Sequence, residues 1–265
     1  MATLFLINGI SAQPKTDSLL QSIFAVQTDP VFNSVISRPQ TYRCQIIYTQ
    51  INRDKRNHPT FKNYYYNYDP NLYFNPASMV KMPLAFLSLE KLNNLKVKGV
   101  NKYTTIQFDS SFEGQKAGYH DSTSSNGRPS IAHYIKRAFL ISENDPYNRM
   151  YQFVGQKDIN RSLHEKGYAD IRITRQFMGF TEEQNRHTNP IRFIAEDGSL
   201  LYHQPPAYNS DSFDFSHVIK LGKAHLNSND SLINEPFDFT RHNNIPLEDL
   251  QQMLQSVLFP ASVPA

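Results

Sequence analysis

The sequence predicts an α+β fold, and three observations predict it. An alternating stretch at 41–51 and a tyrosine-rich run, Tyr64-Tyr65-Tyr66-Asn67-Tyr68, read as the two strands of a hairpin. Helical stripes then dominate from 75 to 167, and a turn-rich stretch at 190–240 is followed by one last amphipathic helix. Strands grouped first and helices grouped after them fit α+β better than a doubly wound α/β sheet, which needs the two to alternate.

Each element has a local reason. Residues 17–37 read as helical, broken at Asp29-Pro30. Tyr42-Arg43-Cys44-Gln45-Ile46-Ile47-Tyr48 alternates as a strand does, which makes Cys44 a small buried side chain or, as the alternative, a thiol nucleophile. Turn-forming residues fill Asn52–Pro59. Asn75-Pro76 starts a helix, Asn at the cap and Pro at the first helical position, which runs to about Asn94 with Pro83 kinking its first turns. Residues 103–128 read as loop. Ser130–Ile141 carries a stripe of Ile131, Ile135 and Phe139. Asp145-Pro146 opens a helix closed by Gly155, a third short helix covers 158–167, and Pro246–Leu258 is the last. Asp197-Gly198 and Asn227–Asp230 mark hairpins, so about 190–240 reads as a hairpin-rich insertion.

A chain of 265 residues suits a single domain, here spanning 13–265 with two interleaved lobes. With 39% hydrophobic residues, 15 Tyr and 18 Phe, it buries a core and is not disordered. There is no apolar run of about 18 residues, which excludes a transmembrane helix. The net charge of +3 is spread along the chain and argues against nucleic acid as a partner. One cysteine excludes an internal disulfide and a Cys-rich zinc site. Nine dispersed histidines without H-E-x-x-H spacing point to no metal and no cofactor. Residues 3–12, Thr-Leu-Phe-Leu-Ile-Asn-Gly-Ile-Ser-Ala, form an apolar stretch ending in small residues, ahead of polar Gln13-Pro14-Lys15. That stretch reads either as a buried strand or, preferred here, as the remnant of a secretory signal in 1–12 whose basic leader is missing. The second reading makes the protein periplasmic or secreted, with a mature terminus near Gln13.

Ser78-Met79-Val80-Lys81 is S-x-x-K at a helix start. Spacing i, i+3 puts hydroxyl and amine on one face, and the helix N-terminus favours an oxyanion formed there. A serine needs a base to become a nucleophile, and a lysine serves if apolar neighbours such as Met79, Val80, Met82 and Leu84 lower its pKa. A second match, Ser88-Leu89-Glu90-Lys91, lies mid-helix and reads as a solvated face. Ser142-Glu143-Asn144 falls in a corner between two helices: a proton relay and a substrate-amide binder, or an N-cap cluster for the helix at Pro146. Ser124-Ser125-Asn126 is a rival match in a polar loop.

Phe74-Asn75-Pro76-Ala77-Ser78-Met79-Val80-Lys81 with Leu87-Ser88-Leu89-Glu90-Lys91-Leu92 resembles the active-site helix of serine β-lactamases and penicillin-binding proteins. Ile141-Ser142-Glu143-Asn144-Asp145 resembles their second motif, usually Ser-Asp-Asn. Gly127-Arg128-Pro129-Ser130-Ile131, Phe153-Val154-Gly155-Gln156-Lys157 and Leu163-His164-Glu165-Lys166-Gly167 resemble the flanking stretches, and Asn244-Ile245-Pro246-Leu247 the end of the class A omega-loop region. The resemblance covers about 41–175. It implies a β-lactamase/transpeptidase-like fold, Ser78 as acylated nucleophile, Lys81 as base or proton partner, Ser142 as shuttle and Asn144 as substrate binder. The implied substrate is a small molecule or peptide, peptidoglycan-derived or a β-lactam.

Two departures follow. The deacylating glutamate of class A enzymes would fall near Phe177, and the first acids are Glu182 and Glu183, with Glu182 the candidate base. Its loss favours a slow acylating protein, a peptidase or an esterase over an efficient lactamase. The third motif, Lys-Thr-Gly, is not evident: Lys220-Leu221-Gly222 lacks the hydroxyl and reads as a turn. The chain ends soon after Phe259-Pro260-Ala261, before the family's closing helices and strands, which suggests truncation and a fragment inactive alone. The rival to a serine hydrolase is a non-catalytic cell-wall peptide binder that keeps the fold.

Overall fold

The computed structural model describes residues 14–260, so the apolar stretch read as a signal lies outside the described residues. In chain order they hold α1 (Ser18–Ala25), α2 (Pro30–Ser37), α3 (Pro39–Tyr42), β1 (Ile46–Arg53), β2 (Pro59–Tyr66), a 3-10 turn (Ala77–Val80), α4 (Lys81–Leu95), β3 (Thr105–Phe108), α5 (Ile131–Leu140), α6 (Asn144–Val154), α7 (Gln156–Glu165), α8 (Glu182–Arg186), β4 (Ile191–Ile194), β5 (Leu200–Gln204), β6 (Lys220–Leu221), β7 (His225–Leu226), β8 (Leu232–Ile233), β9 (Phe237–Asp238) and α9 (Leu247–Leu258). Helices with small antiparallel sheets make this α+β. Two compact units divide the described residues: 14–74 with 246–260, and 75–245.

The first unit is built on the β1–β2 hairpin, in register from Ile46↔Tyr66 to Arg53↔Pro59. Asp54 Oδ1 accepts from the backbone N–H groups of Arg56 and His58, each at 2.8 Å, and closes the turn. The tyrosine run is buried on both faces of β2. Tyr66 OH donates to Ile36 O on α2, while Tyr65 OH and Tyr68 OH donate to the two carboxylate oxygens of Glu248 on α9, at 3.0 and 2.9 Å. Asp29 caps α2 by accepting from Phe32 N at 2.7 Å, with Pro30 at the first helical position. The strand expected around Cys44 starts later. Pro39 opens the α3 turn, Cys44 N donates to Pro39 O at 2.9 Å, and β1 begins only at Ile46. Cys44 is half-buried and burial pushes its thiol pKa up, which suits a packing role rather than a nucleophile.

In the second unit α6 is the core helix: Tyr147, Met150, Tyr151 and Phe153 are fully buried, and α4 and α5 pack against it. Ser130 caps α5 by accepting from His133 N, and Gly155, at φ 91, ends α6. The loop expected at 103–128 contains a strand. β3 pairs antiparallel with β4, and β4 with β5, so residues 191–204 extend a three-stranded sheet. Ile106, Phe108, Ile191 and Phe193 are fully buried, and the Phe193 ring meets Phe153 of α6 edge-on at 5.7 Å. Residues 220–238 form two small two-stranded pieces, β6–β9 and β7–β8.

The helix expected from Asn75-Pro76 starts differently. Asn75 Oδ1 accepts from Ala77 N at 3.1 Å, a 3-10 turn covers Ala77–Val80, and α4 begins at Lys81. Pro83 therefore falls in the first turn of α4, where a missing N–H removes no α-type bond, and the expected kink has no cause.

Candidate active site

The 3-10 turn presents Ser78 and α4 opens on Lys81, so the two side chains stand one turn apart. Ser78 is exposed; Lys81 is 3% exposed. The corner between α5 and α6 brings up Ser142 and Asn144, both also exposed. Lys81 Nζ lies 3.0 Å from Ser78 Oγ, 3.0 Å from Ser142 Oγ and 3.0 Å from Asn144 Oδ1, and it donates to Ser142 O. Ser142 Oγ lies 2.9 Å from Ser78 Oγ. All four residues singled out from the two motifs thus meet at one nitrogen.

The acceptors decide what that nitrogen can do. Ser142 O and Asn144 Oδ1 are carbonyl oxygens and only accept. A neutral amine has two N–H groups, and these two oxygens use both. Its lone pair is then left facing the two hydroxyls. Burial pushes the Lys81 pKa down, toward that neutral form. The Phe177 ring, centred 5.4 Å from Nζ, forms an apolar wall of the cluster. That ring is held in turn by Tyr147, 4.6 Å away, and by Asn148, whose Oδ1 accepts from Phe177 N at 2.8 Å.

The corner is braced from outside. Ser142 adopts φ 55, the left-handed region that costs a non-glycine residue about 1 kcal/mol. Glu143 beside it is paired with Arg137 of α5, and Arg137 also donates to Asp121 Oδ2 at 2.6 Å. Sequence reasoning missed this brace, because the Asp121 contact crosses a loop and leaves no helical spacing to read. It also placed no side chain of Phe177 against Lys81.

Other matches resolve separately. Ser88 is fully buried, its hydroxyl donating to Leu84 O at 2.8 Å, so the second S-x-x-K is not a solvated face. Its Lys91 donates to Phe153 O and Val154 O at 2.6 and 3.2 Å and caps the carbonyl end of α6; burial lowers its pKa to about 8. Ser124 Oγ donates to Asn126 Oδ1 within its own loop. Glu182, on α8, receives Arg241 Nη1 at 2.8 and 2.7 Å, and no hydrogen bond among the described residues joins it to Ser78, Lys81, Ser142 or Asn144. Lys220 and Leu221 pair with β9, and Gly222 turns at φ 83.

The Beta-lactamase2 family model, that of the beta-lactamase enzyme family, matches residues 32–201. The chain belongs to the beta-lactamase enzyme family. The matched span contains Ser78, Lys81, Ser142, Asn144 and Glu182, and stops short of Lys220. No curated protein matches the chain. Membership in the beta-lactamase enzyme family carries a β-lactamase/transpeptidase-like fold, a serine-hydrolase-like function and a small-molecule substrate. No helix among the described residues is long and apolar enough to cross a membrane.

Proposed function

We propose that this chain is a serine hydrolase that attacks an amide, ester or β-lactam carbonyl through an acyl-Ser78 intermediate. One observation carries the reading: an exposed hydroxyl 3.0 Å from the nitrogen of a buried amine that also faces two carbonyl oxygens. Lys81 takes the Ser78 proton, directly or through Ser142 Oγ, as Ser78 Oγ bonds to the carbonyl carbon. The oxyanion forms beside the Ser78 N–H at the start of the 3-10 turn, since Ala77 N and Met79 N are already given to Asn75 Oδ1 and Pro76 O at 3.1 and 2.8 Å. Ser142 returns the proton to the leaving group. Asn144 spends Oδ1 on Lys81, which leaves Nδ2 for a substrate carbonyl. Water then clears the ester, with Glu182 the candidate base; its tie to Arg241 and the Phe177 wall favour slow clearance.

A fluorescent penicillin or fluorophosphonate tests this. The full-length protein becomes labelled, Ser78→Ala abolishes labelling, and labelling that survives the substitution removes Ser78 from the role. Glu182→Gln prolongs the labelled state if Glu182 clears it. The absence of a carboxylate bonded to the cluster among the described residues favours a second reading, a non-catalytic binder of cell-wall peptides. Retained peptide affinity without an adduct in intact-mass spectra selects that reading. Export belongs to the same proposal: secreted material beginning near Gln13 supports it, and material beginning at Met1 refutes it.

A further inference from the structure

The second unit contains a cavity of about 570 Å³, within the range of small-molecule sites. Its lining is unevenly charged. Arg175, Arg186, Lys220 and Arg241 contribute four cations, against the carboxylates of Glu182 and Asp238. Asp238 Oδ1 accepts from Thr240 N at 2.8 Å, inside its own turn, and Glu182 is held by Arg241. His242 also lines the cavity and accepts from Arg175 Nη1 at 2.8 Å through Nε2. Burial and the Arg175 charge lower its pKa to about 4, so it adds no charge at neutral pH.

The cations lie on aromatic surface. The Arg241 guanidinium lies 4.6 Å over the Phe215 ring and that of Arg186 lies 5.8 Å over Phe213. Arg186 Nη1 is spent on Asn209 O and Asp211 O at 2.8 and 2.7 Å, so of these two guanidinium groups Arg241 is the one placed to grip a carboxylate or phosphate. The walls are prearranged as well. Thr174 N and Arg175 N donate to Asn243 Oδ1 at 2.8 and 3.1 Å, and Thr174 Oγ1 donates to Arg241 O at 3.0 Å.

We infer that this cavity binds a small organic anion, a carboxylate or phosphate monoester carrying a flat apolar group, with Arg175, Lys220 and Arg241 gripping the anion and Phe180 and Val218 of the lining beside the apolar part. The inference does not rest on the role of Ser78. Calorimetric titration of the full chain with benzoate, phenyl phosphate, benzamide and inorganic phosphate tests it. Benzoate or phenyl phosphate saturates the protein, with benzamide and inorganic phosphate each at least about tenfold weaker. Which of the two anions binds tighter identifies the anionic group. Lys220→Gln and Arg241→Gln, both at exposed positions, weaken the tighter anion about fivefold or more. Glu182→Gln removes the carboxylate that competes for Arg241 and tightens it, an effect that general damage to the fold does not produce. Ser78→Ala leaves the affinities unchanged. Benzamide binding as tightly as benzoate, inorganic phosphate matching phenyl phosphate, no saturation by either organic anion, or Glu182→Gln failing to tighten the anion overturns the proposal.

Discussion

A neutral lysine has two hydrogens to give, and Lys81 has two carbonyls to give them to. Protonation would force a third hydrogen toward Ser78 or Ser142, so the base works only above its own pKa, which burial holds below the usual lysine value. The rate of Ser78 labelling therefore rises with pH and levels off before an exposed lysine would titrate. A profile with its midpoint at or above the ordinary 10.5 contradicts this. The sign for stability is the same: between the folded and unfolded pKa values the unfolded chain holds the extra proton, so this residue favours folding more as pH rises. Phe177→Ala admits water beside Nζ and moves the labelling profile to higher pH. Ser142→Gly relieves the left-handed backbone and leaves stability unchanged or up to about 1 kcal/mol higher while slowing acylation, as read by urea midpoint and labelling rate. Arg137→Gln frees Glu143 and Asp121, lets the corner move, and slows labelling about 100-fold, with Arg137→Lys recovering part of it.

Elements with end signals were legible. Ser130 before Ile131, Pro146 in the first turn of α6 and Gly155 after Val154 mark their helices, because caps and breakers act within one turn. β3 was not, since four residues among turns give too short an alternation to register. α4 starts five residues beyond the Asn75-Pro76 signal, because Asn-Pro marks a helical turn without saying whether it is 3-10 or α. In β2 the tyrosines were legible as a strand, but their partner Glu248 lies far along the chain. Glu248→Leu leaves two buried phenol hydroxyls without an acceptor and costs about 1–3 kcal/mol, measured by denaturant unfolding. Burial, and then the Glu248 charge, raise the pKa of Tyr68, and burial that of Tyr65 as well. Their contribution to stability is complete below the unfolded tyrosine value and falls as pH rises past it.

At the level of the whole chain, the two S-motifs were readable because both close on Lys81 from helix ends. The anion cavity was not: Arg175 and His242 stand 67 residues apart, and no periodicity links such segments. The three-stranded sheet was partly hidden for the same reason, β3 and β4 being separated by three helices and a short fourth.

The first unit is discontinuous, with α9 returning to complete what residues 14–74 begin. During synthesis, everything that positions Ser78 leaves the ribosome before α9 does, while the hairpin waits for its last partner. A stalled nascent chain ending near residue 246, with a tether long enough to clear the exit tunnel, should already resist limited proteolysis within residues 75–245 although Tyr65 and Tyr68 still lack Glu248.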